Sequence, residues 1–137
     1  MNTKPHNYTF QDFIASLEEL FVKQFRSLQS LRRITNRERV ALSTGDANGL
    51  IPLTKEKESI LEQIEIVEDS QHIVLEEIGK LLKIRKKVSL SEDILPRLDP
   101  DMAKRIIRLR NGIMILYDEA RDLNRFNQAL ARDSLDR

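Results

Sequence analysis

The stretch Glu38–Ile64, ERVALSTGDANGLIPLTKEKESILEQI, decides the fold. It reads as the end of one long helix, a tight Gly45-Asp46 turn and the start of a second long helix. Gly45 is a strong stop, because glycine enters the left-handed conformation without steric cost. Asp46 can cap the turn that follows, while Asn48, Gly49 and Pro52 weaken its first residues. A proline deep in a helix costs about 3 kcal/mol, whereas one in the first turn is tolerated. The second helix is therefore expected to settle at Ile51 or Pro52. Two long helices joined by so short a turn form an antiparallel hairpin.

Upstream of the turn, Thr9 can act as N-cap, with Asp12 three residues on. Apolar residues then recur at Phe10, Phe13, Ile14, Leu17, Leu20, Phe21, Phe25, Leu28, Leu31 and Ile34. Their spacing of three and four places them on one helix face. Gln24, Thr35 and Glu38 fall close to this stripe and break its heptad, and they read as polar contacts that set register in a bundle or simply as positions at the edge of the stripe. The first helix is assigned to 9–44, roughly 50 Å long.

Downstream, the stripe resumes at Leu53, Ile60, Leu61, Ile64, Val67, Val74, Leu75, Ile78, Leu81 and Leu82, giving a second helix over 51–86. A connector follows over 88–99. Within it Ser89-Leu90-Ser91-Glu92 fits a capping box, and Pro96 limits any helix. Asp99-Pro100 is a helix start, with aspartate as N-cap and proline at the first helical position. The third helix is assigned to 100–134. Its stripe runs through Ala103, Ile106, Leu109 or Arg110, Ile113, Leu116, Ala120, Leu123, Asn127 and Leu130, flanked by Ile107, Met114, Ile115 and Tyr117. This arc is broad, which implies a second neighbour or a face awaiting a partner. If that face is uncovered, the free protein should self-associate.

The whole reads as all-α: a long antiparallel helical hairpin with a third long C-terminal helix, an elongated coiled-coil-like bundle. It is assigned as a single domain over 1–137, with 1–8 a flexible N-terminus. Only four glycines and four prolines occur in 137 residues, and tryptophan is absent, which suits a chain of helices.

Composition bounds the function. Twenty-three Lys and Arg oppose 22 Asp and Glu, a net charge of +1, so charge gives no reason to favour nucleic acid as partner. Basic clusters do occur at Lys80, Lys83, Arg85, Lys86 and Lys87, and at Lys104, Arg105, Arg108 and Arg110. The first lies where the second helix should end, where cations offset the helix dipole. The absence of cysteine excludes disulfide and thiolate chemistry. No signal-peptide pattern and no apolar run near the ~18 residues of a membrane span is present, so a soluble, cytoplasmic protein is expected.

Reactive groups are few. His6 lies in the N-terminal tail and His72 on a polar helix face. A di-iron bundle needs two Glu-x-x-His pairs, and none occurs. There is no glycine-rich phosphate loop. The chain is therefore read as no enzyme, with no cofactor and no metal site.

At this point the residues carry a resemblance. Glu38-Arg39, Ala41-Leu42, Gly45-Asp46, Leu53-Thr54, Glu56-Lys57-Glu58, Leu61 and Ile64 resemble the helix–turn–helix of FlgN-type flagellar export chaperones. In that family the second helix opens with a Leu-Thr-x-Glu-Lys pattern. Leu123-Asn124, Asn127 and Leu130, preceded by Arg121 and Asp122, are similar to its spaced-asparagine pattern. The resemblance implies a chaperone of type III export that binds the C-terminal segments of the hook–filament junction proteins FlgK and FlgL. Such a chaperone prevents premature assembly of its clients and delivers them to the export gate. Carried over, the client-binding residues are Ile106, Ile113, Leu116, Tyr117, Leu123, Asn124, Asn127 and Leu130. Family members often continue into a flexible tail with a tyrosine motif for gate docking; this sequence ends at Arg137, and Tyr117, inside the helix, is not assigned that role.

Physical chemistry supports the same picture independently. A groove between long helices accepts an amphipathic client helix through anchors at three- and four-residue spacing. The same residues could instead close an intramolecular bundle. Other readings open at this stage are a helical adaptor or structural coiled coil of another secretion system, and a nucleic-acid binder using the basic clusters.

Overall fold

The computed structural model describes residues 7–135. The expected flexible N-terminus therefore lies largely outside the described residues, His6 included. Three long helices make the molecule: α1 (Phe10–Thr44), α2 (Ala47–Leu81) and α3 (Pro100–Leu135). Between α2 and α3 the chain makes one π-helical turn, Leu90–Ile94, and one 3₁₀ turn, Leu95–Arg97. No strand occurs among the described residues.

Helix α1 begins as its sequence dictates. The Thr9 hydroxyl accepts from the Asp12 N–H at 3.2 Å, and the Asp12 carboxylate accepts from the Thr9 N–H at 2.8 Å. It ends at Gly45, whose φ of 69° lets the chain reverse. The Asp46 N–H reaches back to the Ala41 carbonyl at 2.9 Å and the Gly45 N–H to that of Leu42 at 3.4 Å, so the last turn is closed from outside.

Helix α2 departs from its expected limits of 51–86 at both ends. It starts at Ala47, because the Asp46 carboxylate caps it by accepting from the Gly49 N–H at 2.9 Å. Pro52 then sits inside the helix, not at its start. The hydrogen bond it forfeits belongs to the Asn48 carbonyl, and both residues are exposed, so water can take that place. At the other end α2 stops at Leu81, short of Lys86. Lys83 adopts a left-handed φ of 57°, the Ile84 N–H bonds the Gly79 carbonyl at 2.9 Å, and the Lys83 N–H bonds that of Lys80 at 3.3 Å. This is the hydrogen-bonding of a glycine stop built on lysine.

The connector also differs in detail. Ser89 caps it, accepting from the Glu92 N–H at 3.2 Å, but the returning carboxylate comes from Asp93, which accepts from the Ser89 N–H at 2.8 Å. A π turn carries an extra residue, which moves the reciprocal partner one position on. Asp99 caps α3 as expected, its Oδ1 accepting from the N–H groups of Asp101 and Met102.

Helix α1 is the centre of the molecule. It packs along both α2 and α3, whereas α2 and α3 hardly approach each other backbone to backbone. Contacts Glu18–Arg105, Arg32–Glu119 and Thr35–Asn127 climb both chains together, so α3 runs parallel to α1 and antiparallel to α2. One apolar cluster, Ile14, Leu17, Ile78 and Ile94, closes the end where the connector folds over. A longer one joins Leu28, Leu31, Ile34 and Ala41 to Leu53, Ile60 and Ile64 of α2 and to Ile113, Leu116 and Ala120 of α3. Burying each leucine or isoleucine contributes about 1.5–3 kcal/mol.

Candidate functional site

Two of the polar residues that interrupt the α1 stripe, Gln24 and Glu38, meet the flanking helices through their side chains. Gln24 is buried; its Nε2 donates to the Tyr117 phenol oxygen of α3 at 3.2 Å, and its Oε1 accepts from Gln71 Nε2 of α2 at 2.7 Å. The Tyr117 hydroxyl donates in turn to the Glu68 carboxylate. Burial pushes the Tyr117 phenol up to about 12; the Glu68 carboxylate adds to the rise and the Gln24 donor opposes it.

Further along α1, Glu38 accepts from Lys57 Nζ of α2 at 2.9 Å, and Lys57 also donates to Asn124 Oδ1 of α3 at 2.8 Å. The side chains of Lys57 and Glu38 are only 17% and 12% exposed. Beside them the Thr35 carbonyl accepts from Asn127 Nδ2 at 2.9 Å. Each of these contacts fixes the rise and rotation of a flanking helix on α1, which apolar stripes alone leave free to slip by a turn. Gln24 and Glu38 make the inter-helix contacts expected of register-setting residues, whereas the Thr35 hydroxyl donates to the Leu31 carbonyl of its own helix at 2.7 Å and only its backbone carbonyl meets α3.

The eight residues carried over for client binding separate into two groups. Ile106, Ile113, Leu116 and Asn127 are buried and hold α3 on α1. Tyr117, Leu123, Asn124 and Leu130 are half-buried. Leu123 opens with Phe126 onto a groove of about 450 Å³ between α3 and α1, edged by Arg32, Asn36, Arg39, Glu119 and Asp122. Tyr117 opens onto the other flank of α3, a groove of about 500 Å³ shared with Gln24, Glu68, Gln71, His72 and Arg121. Helix α3 thus has open ground on both sides.

Large apolar side chains outside that set also face solvent. On α3 these are Met114, Ile115 and Phe126; on α2, Ile66 and Ile73 are 64% and 61% exposed. The breadth of the α3 arc therefore has a mixed origin: one edge lies under α1 and the other is bare. The signal for Ile66 and Ile73 was their seven-residue spacing off the main stripe, which puts them on one outer face.

With this arrangement in view, the comparison with known families is decisive. The FlgN protein family model matches residues 13–137, nearly the whole chain. The chain belongs to the FlgN family. It is thereby a flagellar export chaperone in general terms, a class defined by protein binding and not by catalysis. A search of curated proteins and a search of solved structures returned no match. Consistent with a FlgN-type chain, no helix among the described residues is long and apolar enough to cross a membrane.

Proposed function

We propose that this FlgN-family chain works in the cytoplasm as a type III export chaperone for the junction proteins FlgK and FlgL. It holds their C-terminal helical segments until delivery to the export gate. The observation that carries this reading is the pair of open grooves flanking α3, reached by Leu123 on one side and Tyr117 on the other. An amphipathic client helix laid along α3 would set anchors at three- and four-residue spacing into such a groove. In this reading Leu123 meets a client in one groove and Tyr117 in the other, with half-buried Asn124 and Leu130 as further contacts and exposed Met114, Ile115 and Phe126 extending the apolar surface. Ile106, Ile113, Leu116 and Asn127 support the same surface by fixing α3, and they reach a client only if α3 leaves α1.

Without a client, the exposed apolar residues of α2 and α3 favour self-association. Co-elution on size exclusion with a C-terminal fragment of FlgK or FlgL tests the reading. Leu123→Asp and Phe126→Asp should each abolish co-elution while helix content by circular dichroism is retained; co-elution that survives both substitutions would rule out the α3 surface.

A further inference from the structure

Five cations, Lys80, Lys83, Arg85, Lys86 and Lys87, lie where α2 ends. Only Lys80 falls in the last turn, where a cation offsets the helix dipole. The other four lie beyond the helix, in chain that turns back over it. The return is close: a Cβ on buried Gly79 would stand 2.9 Å from Val88 Cγ2, so a larger residue there would push Val88 away. Beside this contact opens a cavity of about 450 Å³, walled by Leu75, Gly79, Ile84 and Val88 and rimmed by Lys80, Lys86 and Lys87, with His72 and Glu76 on one edge.

Two of the three rim cations are paired and one, Lys87, is not. Lys80 pairs with Glu77 at 3.1 Å, and Lys86 with Glu92 at 3.4 Å and Asp93 at 3.9 Å. Lys83, Arg85 and Lys87 are exposed and form no ion pair among the described residues. An apolar recess with unpaired Lys87 on its rim, and exposed Lys83 and Arg85 flanking its wall residue Ile84 in the chain, has a defined complement. We infer that this cavity docks an acidic peptide segment of a protein partner, with one apolar side chain in the recess and carboxylates against Lys83, Arg85 and Lys87. A recess takes an inserted side chain, whereas an anionic membrane would require apolar groups that project from the protein. The site is separate from the Asn124–Asn127 region of α3, roughly 30 Å away along α1 at 1.5 Å per residue.

The test uses the full chain and short labelled peptides rich in Asp and Glu around a single leucine, read by fluorescence anisotropy. The acidic leucine peptide should bind, and added salt should weaken it. Binding should fall by roughly tenfold or more in the Arg85→Glu/Lys87→Glu double variant, and likewise when the peptide leucine becomes serine. Ile84→Ser, checked for helix content, should weaken the same peptide, while binding of FlgK or FlgL segments is unchanged in every variant. The inference is overturned if the acidic peptide fails to bind, if a lysine-rich counterpart binds equally, or if neither variant changes affinity. It is also overturned if phosphatidylserine vesicles are retained through these cations and the peptide is not.

Discussion

Asn127 of α3 donates from Nδ2 to the backbone carbonyl of Thr35 on α1 at 2.9 Å, while its own Oδ1, equally buried, has no partner among the described residues. One half of the amide is satisfied and the other is a cost. The Thr35 carbonyl also belongs to the α1 hydrogen-bond ladder, so it is not orphaned when Asn127 is removed. Asn127→Leu should therefore leave stability unchanged or raise it by up to about 1 kcal/mol. Asn127→Asp should lower it by about 3 kcal/mol at neutral pH, because it buries a charge beside a carbonyl. Burial raises the pKa of that new carboxyl, so acid should recover part of the loss relative to the parent chain. Urea denaturation of the three proteins at two pH values decides the matter; equal losses for Leu and Asp would refute it.

The Lys57–Glu38 pair makes a second prediction. Lys57→Met leaves the Glu38 carboxylate without its cation in a largely buried site and should cost about 3 kcal/mol. Adding Glu38→Leu removes the orphaned charge and should restore most of the stability. A double variant no more stable than Lys57→Met would show that the pair is not an isolated unit.

Helix α2 ends on a left-handed lysine, a conformation that costs an L-residue about 1–2 kcal/mol. Lys83→Gly relieves this strain but frees the unfolded chain, and the net gain should be up to about 1 kcal/mol. Gly45→Ala imposes the same strain and should destabilise by about 1–2 kcal/mol. Thermal melts of both variants read the two signs directly, and a lower melting temperature for Lys83→Gly would contradict the assignment of its strain.

Tyr117 predicts a pH dependence. Its phenol is held up at about 12, above the ordinary value of 10.0, chiefly by burial and then by Glu68. A folded pKa raised above the unfolded one means that the neutral phenol stabilises the bundle. That contribution is complete below pH 10 and is lost as pH rises from about 10 through about 12. Ultraviolet titration in a Tyr8→Phe background should place the phenolate midpoint near 12, and Glu68→Gln should lower it. A midpoint near 10 in the folded protein would mean that the Gln24–Tyr117–Glu68 contact is absent in solution.

Much of this architecture was legible in the residues. Thr9, Gly45 and Asp99 mark helix ends through local chemistry, and local chemistry is what a sequence displays. The interruptions at Gln24 and Glu38 point to polar contacts, although their partners Tyr117 and Lys57 lie on other helices at distances that spacing does not encode, and Thr35 turns its hydroxyl to the Leu31 carbonyl of α1. The limits of α2 were misjudged for two reasons. Asp46 caps early enough to carry Pro52 into the helix, and Lys83 does the work usually given to glycine. The site was only partly legible. A stripe records which side of α3 is apolar but not what covers it. Ile106, Ile113 and Leu116 consequently lie under α1, while Met114, Ile115 and Phe126 stand open.

In the proposed function α3 and its flanking grooves hold a client helix. Isothermal titration of the full chain with C-terminal segments of FlgK and FlgL tests it most directly. Binding should be saturable with a negative heat-capacity change, the signature of buried apolar surface, and should be lost in Leu123→Asp. Absence of binding to both segments, or binding undiminished by that substitution, would contradict it.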